Sequence, residues 1–167
     1  ILEEYESRGE ITLEKGKNVG FSQSFSWLIN NAPQADYYAC CDQDDVWLPT
    51  KILDGVNALE NETNHEQPLV YFTSLNVVDE KLNLITKDSH IHYNNNSDTL
   101  FMDNVLMPQC NGCTFVFNQQ LKDLYSTIPP HNIFTHDYTL MTLTSAFGKV
   151  IFSNNSKILY RQHASNA

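Results

Sequence analysis

Residues 37–52 read YYACCDQDDVWLPTKI, an apolar run followed at once by acids and an amide. The run Tyr37–Cys41 is predicted to be a buried strand, and Asp42, Asp44 and Asp45 then fall at its mouth. A single carboxylate there could be a helix cap. Three within four residues repel one another unless a positive group sits among them, because charge held near an apolar strand is poorly hydrated. This pairing of strand and acidic loop constrains the fold most, since a buried strand needs sheet neighbours and covering layers.

The flanking sequence supplies such layers. Val19, Phe21, Phe25, Leu28 and Ile29 have near-helical spacing and stop at Asn-Asn-Ala-Pro. Pro49 is placed to open a helix that continues through Ile52, Leu53, Val56 and Leu59. EITLEK, PLVYFTSLNVV, CTFVFN, KVIFS and SKILYRQH read as strands, with DEKLNLIT returning as a hairpin. Helices are expected through Leu121 and Leu124 and over HDYTLMTLTSAFG, while the Asn-rich SHIHYNNNSD reads as a mobile loop, with no site role for His90 or His92. Strands alternating with helices predict an α/β fold with a mixed sheet flanked by helices, and 167 residues without a repeat predict one domain over 1–167.

A formal charge of −10 argues against nucleic acid as a partner. No stretch has the length of a membrane-spanning helix. The opening ILEEYESRG reads as the middle of an amphipathic helix, so the chain is expected to continue something longer. Cys110 and Cys113 have the spacing of a zinc half-site, but CNGC runs into an apolar strand where cysteine serves as a core residue. Cys40 and Cys41 should point to opposite faces, and reduced thiols suit a cytoplasmic protein.

In an α/β sheet, ligands bind beyond the carboxyl ends of the strands. Asp42 and Asp44 share a face if the strand continues, with Asp45 beginning the turn. All-oxygen donors select a hard cation, Mg²⁺ or Mn²⁺. An EF-hand is excluded because Val46 and Trp47 occupy positions that need a ligand and a glycine.

ADYYACCDQDDVWLPTKI resembles the metal-binding segment of family 2 glycosyltransferases, in the rhamnosyltransferase-like branch, where a strand leads to a D-x-D-type motif and then W-x-P-x-K. KNVGFSQSFSWLINNA is similar to the family's N-x-G-x-x-x-(S/A)-x-N helix, with Phe25 or Ser26 where Asn is usual. NGCTFVFNQQL, THDYTL and LYRQHASN resemble its acceptor-side strand, its (E/H)-D segment and its closing Y-R-x-H-x-x-N.

The resemblance implies a GT-A fold and inverting sugar transfer from a nucleotide diphosphate sugar, dTDP- or UDP-linked, with rhamnose the sugar that the branch suggests. It implies a saccharide or lipid-linked acceptor and work at the inner face of the plasma membrane. Asp42 with Asp44 or Asp45 would hold the divalent ion, His163 would lie near it, and Arg161 would meet phosphate. Asp137 would be the general base, with His136 orienting the acceptor or tuning that base. Trp47 would pack or shape the sugar pocket, Lys51 would be a surface residue, and Gly112 would let backbone approach a sugar. The strands carrying the family's nucleobase pocket have no counterpart in the sequence, so nucleotide binding is expected to be weak. The alternative is a non-catalytic remnant or carbohydrate-binding module of the same fold. A phosphate-transfer enzyme is disfavoured, since no phosphate-cradling glycine loop is present.

Overall fold

The computed structural model describes residues 1–87, 97–106 and 110–162. Most of the Asn-rich loop, including His90 and His92, and also His163, lie outside the described residues. The described elements make an α/β fold with two four-stranded mixed sheets flanked by helices.

The main sheet has the order β1 (Tyr37–Ala39), β6 (Val116–Asn118), β3 (Leu69–Thr73), β7 (Lys149–Ser153). β1, β3 and β7 run one way and β6 runs against them. Side chains alternate across a strand, so each strand feeds two cores. Val70, Phe72, Phe117 and Val150 face a core shared with Leu121, Tyr125, Leu140 and Met141. These last four come from α5 (Gln119–Ser126) and α6 (His136–Phe147). α2 (Phe21–Asn31) adds Phe25 and Ile29 to the same layer.

Leu69, Tyr71 and Val116 face the other way, against Leu59 of α3 (Lys51–Glu60). α3 approaches closely because Gly55 has no side chain: a Cβ there would fall 2.6 Å from Val116 Cγ2. Such two-sided burial explains why β3 is apolar from Leu69 to Phe72 and fully buried.

The second sheet runs β2 (Val46–Trp47), β8 (Ile158–Arg161), β4 (Asn76–Val78), β5 (Leu84–Thr86). β4 and β5 form the expected antiparallel hairpin. This small sheet has its own core of Leu75, Val77, Cys113 and Ile158, with Trp47 and Tyr160 packed on it. Its strands leave the main sheet through the loops after β1, β3 and β7, so it covers their carboxyl ends.

Several expectations change. Strand PLVYFTSLNVV is two strands in different sheets, parted at Ser74 and Leu75. EITLEK forms no regular element, and its Ile11 is exposed with nothing to bury it. The buried strand at 37–41 is only Tyr37–Ala39, half-buried at the sheet edge. Pro49 precedes its helix rather than opening it. Thr50 is the N-cap, in the left-handed region at φ 72, an unusual conformation for a β-branched residue. Two bonds hold Thr50 there: its Oγ1 donates to Asp54 Oδ2 at 3.1 Å and accepts from Lys157 Nζ at 3.1 Å. α1 (Leu2–Ser7) buries none of its residues, and α4 (Ser97–Leu106) rests on α6.

Candidate functional site

The carboxyl ends of β1, β3 and β7 share an edge with the start of β6. The acidic loop leaves β1 at that edge, and Gly112–Thr114, a single 3₁₀ turn, leads into β6 there. A turn at Gln43 and Asp44 reverses the chain after Asp42, so residues 42 and 45 approach each other. The pair that meets is therefore Asp42 and Asp45, not Asp42 and Asp44 as an extended strand would give. Donor atoms of Asp42, Asp45 and Cys113 lie within 4.8 Å of one another.

Asp45 is fixed by a remote segment. The Arg161 backbone N–H donates to its Oδ1 at 3.0 Å. Oδ2 is buried, and no group meets it with hydrogen-bond geometry. The Cys113 thiol lies beside this carboxylate and helps keep it charged, yet a thiol is a weak donor. Half-burial pushes the Asp45 carboxyl up, and the Arg161 contact works against that shift.

Asp42 is pushed up to about 6, first by desolvation and then by repulsion from Asp45, Asp44 and Asp137. Each of these influences raises it, and among the described residues none of comparable size lowers it. A carboxylate with that environment is poised to gain from a bound positive charge.

One positive side chain does sit among the acids, and it is not where the sequence put it. Lys51 is 3% exposed rather than on the surface, and its Nζ makes no hydrogen bond. The ammonium lies over the Trp47 ring, 4.1 Å from its centroid. Desolvation lowers the Lys51 pKa, while Cys113, Cys40, Cys41 and Asp45 oppose the shift. Those thiols are protonated at neutral pH, since burial pushes Cys40 up to about 12 and Cys113 higher still. Asp45 is thus the one carboxyl group among those four. Trp47 is half-buried, and its Nε1 is buried with no hydrogen-bond partner.

Asp137 stands in the first turn of α6, behind the N-cap Thr135. Its Oδ1 accepts from the Tyr138 amide at 2.8 Å and from Thr135 Oγ1 at 2.5 Å. Oδ2 accepts a long bond, 3.4 Å, from the Gly112 amide. His136 is 5% exposed, with both ring nitrogens unpartnered, and stacks on Phe25 at 4.2 Å between centroids. Phe25 therefore holds the imidazole by a ring face. Burial lowers the His136 pKa despite Asp137 beside it, so the ring is held neutral.

Gly112 and Cys113 join these parts. Gly112 touches Asp137 and His136, and Cys113 touches Asp42 and Asp45. Asp42, Asp45, Gly112, Asp137 and the Arg161 backbone are thereby brought to one edge. Asp44 acts on both neighbouring carboxyls by charge without belonging to the close group. The Arg161 guanidinium donates to the Glu80 carbonyl at 3.4 Å. Sequence reasoning missed Lys51 and Cys113. The spacing from Trp47 to Lys51 carried a signal for the first, and the CNGC spacing marked Cys113 as a ligand type without pointing to Asp42 or Asp45.

An open cleft of about 590 Å³ follows the outer edge of β1, lined by Phe25, Trp27, Leu28, Tyr38 and Cys41 among others. It borders the acidic loop at Cys41. Comparison with family models, with curated proteins and with solved structures returned no match. Among the described residues no helix is long and apolar enough to cross a membrane.

Proposed function

We propose that the chain carries the metal, base and acceptor site of a GT-A glycosyltransferase that moves a sugar from a nucleotide diphosphate donor to a saccharide or lipid-linked acceptor. The observation that carries this is the meeting of Asp137 with the Asp42–Asp45 pair across Gly112–Cys113. The acceptor chemistry and the leaving-group chemistry need two kinds of carboxylate in one cleft: one to take a proton and a set to hold positive charge.

The residues fit a divalent cation, Mg²⁺ or Mn²⁺: Asp45 Oδ2 is a buried acceptor without a partner, and Asp42 is destabilised by its neighbours. Bound there, such an ion would neutralise charge growing on the departing diphosphate. Asp42 and Asp45 would hold it, with Asp44 adding charge. Asp137 takes the proton of the acceptor hydroxyl, and its carboxylate is aimed by Gly112, Thr135 and Tyr138. His136 positions Gly112 from behind, since its ring reaches no solvent. Lys51 and the Arg161 segment steady the loop. His163, by the same resemblance, completes the metal side, and Trp47 shapes the sugar pocket. The acceptors of such enzymes place the work at the cytoplasmic face of the membrane.

The test is calorimetric titration of Mn²⁺, then of UDP and dTDP with Mn²⁺ present, into the protein and its Asp42→Asn variant. Metal-dependent nucleotide binding that disappears in the variant supports the proposal. Absence of any cation binding removes it.

A further inference from the structure

The sulfur of Cys113 goes beyond an all-oxygen site. We propose that Cys113 is a third ligand, so that the acidic loop also takes a thiophilic divalent ion, Zn²⁺ or Cd²⁺, through Asp42, Asp45 and Cys113. The inference rests on reading the loop as a cation site, but not on sugar transfer.

Three features carry it. The donor atoms come from two segments far apart in the chain, the loop after β1 and the turn before β6, and lie within 4.8 Å of one another. Bonds of about 2.0–2.3 Å around a tetrahedral ion place ligand atoms roughly 3.5 Å apart, so small side-chain rotations close the set. Cys113 is 3% exposed and lies in the core of the second sheet, which fixes its position. Asp45 Oδ2 is buried with no partner in hydrogen-bond geometry, and the one group beside it is the Cys113 thiol, itself a ligand type.

Three protein donors leave a fourth position open, as in sites that bind a further ligand. Cys110, the other half of CNGC, is outside the group, so this is not the zinc half-site that its spacing suggests. Lys51 faces Cys113 and Asp45, and Asp44 and Asp137 face Asp42, so the surrounding charge remains negative. On binding, the Cys113 S–H bond breaks, a sulfur–metal bond forms, and the proton passes to solvent.

The experiment uses a Cys41→Ser background, which removes the exposed thiol. Cd²⁺ is titrated at pH 8 while sulfur-to-cadmium charge-transfer absorption is followed, and calorimetry in two buffers counts released protons. The expected result is a charge-transfer band saturating at one ion, with about one proton released. Cys113→Ser should abolish the band and weaken Cd²⁺ at least about tenfold while changing Mn²⁺ affinity little. Asp45→Asn, which keeps the thiol and the Arg161 contact, should weaken the band's titration by a similar factor, and this arm stands even if Cys113→Ser does not fold. Cd²⁺ binding without the band, or a band indifferent to Asp45→Asn, overturns the Cys113 ligand while leaving the Mn²⁺ site intact. If neither Mn²⁺ nor Cd²⁺ binds, both this inference and the proposed function fall.

Discussion

The Gly112 amide points at Asp137 Oδ2 from 3.4 Å, and the same residue is pressed against the neighbouring imidazole. A Cβ on Gly112 would fall 2.3 Å from His136 Nε2 and 3.2 Å from Asp137 Cβ. The glycine is thus required by contact rather than by backbone conformation, and it sets the spacing between the proposed base and the turn that carries Cys113.

Gly112→Ala should therefore destabilise the protein by about 1–3 kcal/mol, the usual cost of forcing a methyl into a filled site. His136 has little room to retreat, because it is buried and stacked on Phe25 at 4.2 Å between centroids. Thermal melts of the variant measure this. A companion His136→Ala change should recover part of the loss, whereas a purely backbone effect would leave it unchanged.

Stability should depend on pH through Asp42. Its folded pKa is raised from 3.8 to about 6, so between those values the folded protein holds a proton that the unfolded chain releases. The Asp42 contribution to stability is then lost as pH rises through the window from about 4 to 6. Asp42→Asn removes the repulsion and should raise the melting temperature by a few degrees at pH 7.5. The gain should shrink to nothing near pH 4, where Asp42 is protonated in the native protein. Melts of both proteins across pH 4–8 give the difference directly, and a gain that persists at pH 4 would refute the assignment.

The layered core is legible in the chain because period-two burial leaves a plain signature: LVYF in β3 is apolar on both faces, and both faces are covered. The short second sheet is less so. β2 and β8 pair over two residues each, and strands that brief carry no period to read. In the site, the acids and Asp137 are visible as residue types, but the pairing of Asp42 with Asp45 depends on one turn at Gln43 and Asp44. Lys51 looks like an ordinary helix-surface lysine until Thr50, in its left-handed conformation, starts α3 so that Lys51 faces the interior. Cys113 gives no sign of meeting Asp42, because that contact spans sheets rather than neighbouring residues.

Lys51→Met tests the buried ammonium. Methionine preserves the stem's volume and its contact with Trp47 while removing a charge that makes no hydrogen bond. Loss of a positive neighbour should tighten Mn²⁺ binding roughly three- to tenfold, the size of a ~1 kcal/mol like-charge repulsion. Stability should change little or rise, since an unpaired buried charge is costly. Weaker Mn²⁺ binding in the variant would show instead that Lys51 holds the loop in its binding geometry.

Asp137→Asn separates the base from the cation site. The amide keeps an acceptor oxygen for Tyr138 N and Thr135 Oγ1, so the start of α6 should survive, while loss of the long Gly112 bond to Oδ2 should lower the melting temperature by a few degrees at most. What is lost is the capacity to take a proton, and loss of a general base typically costs about 10²–10⁴ in rate. Sugar transfer should fall by that factor while Mn²⁺ affinity weakens only about threefold, because Asp137 acts on Asp42 by charge and is outside the close donor group. A variant that loses Mn²⁺ binding as well would place Asp137 among the ligands. One that keeps full transfer would leave Asp137 as a first-turn acid of α6, stabilising the helix terminus and nothing more.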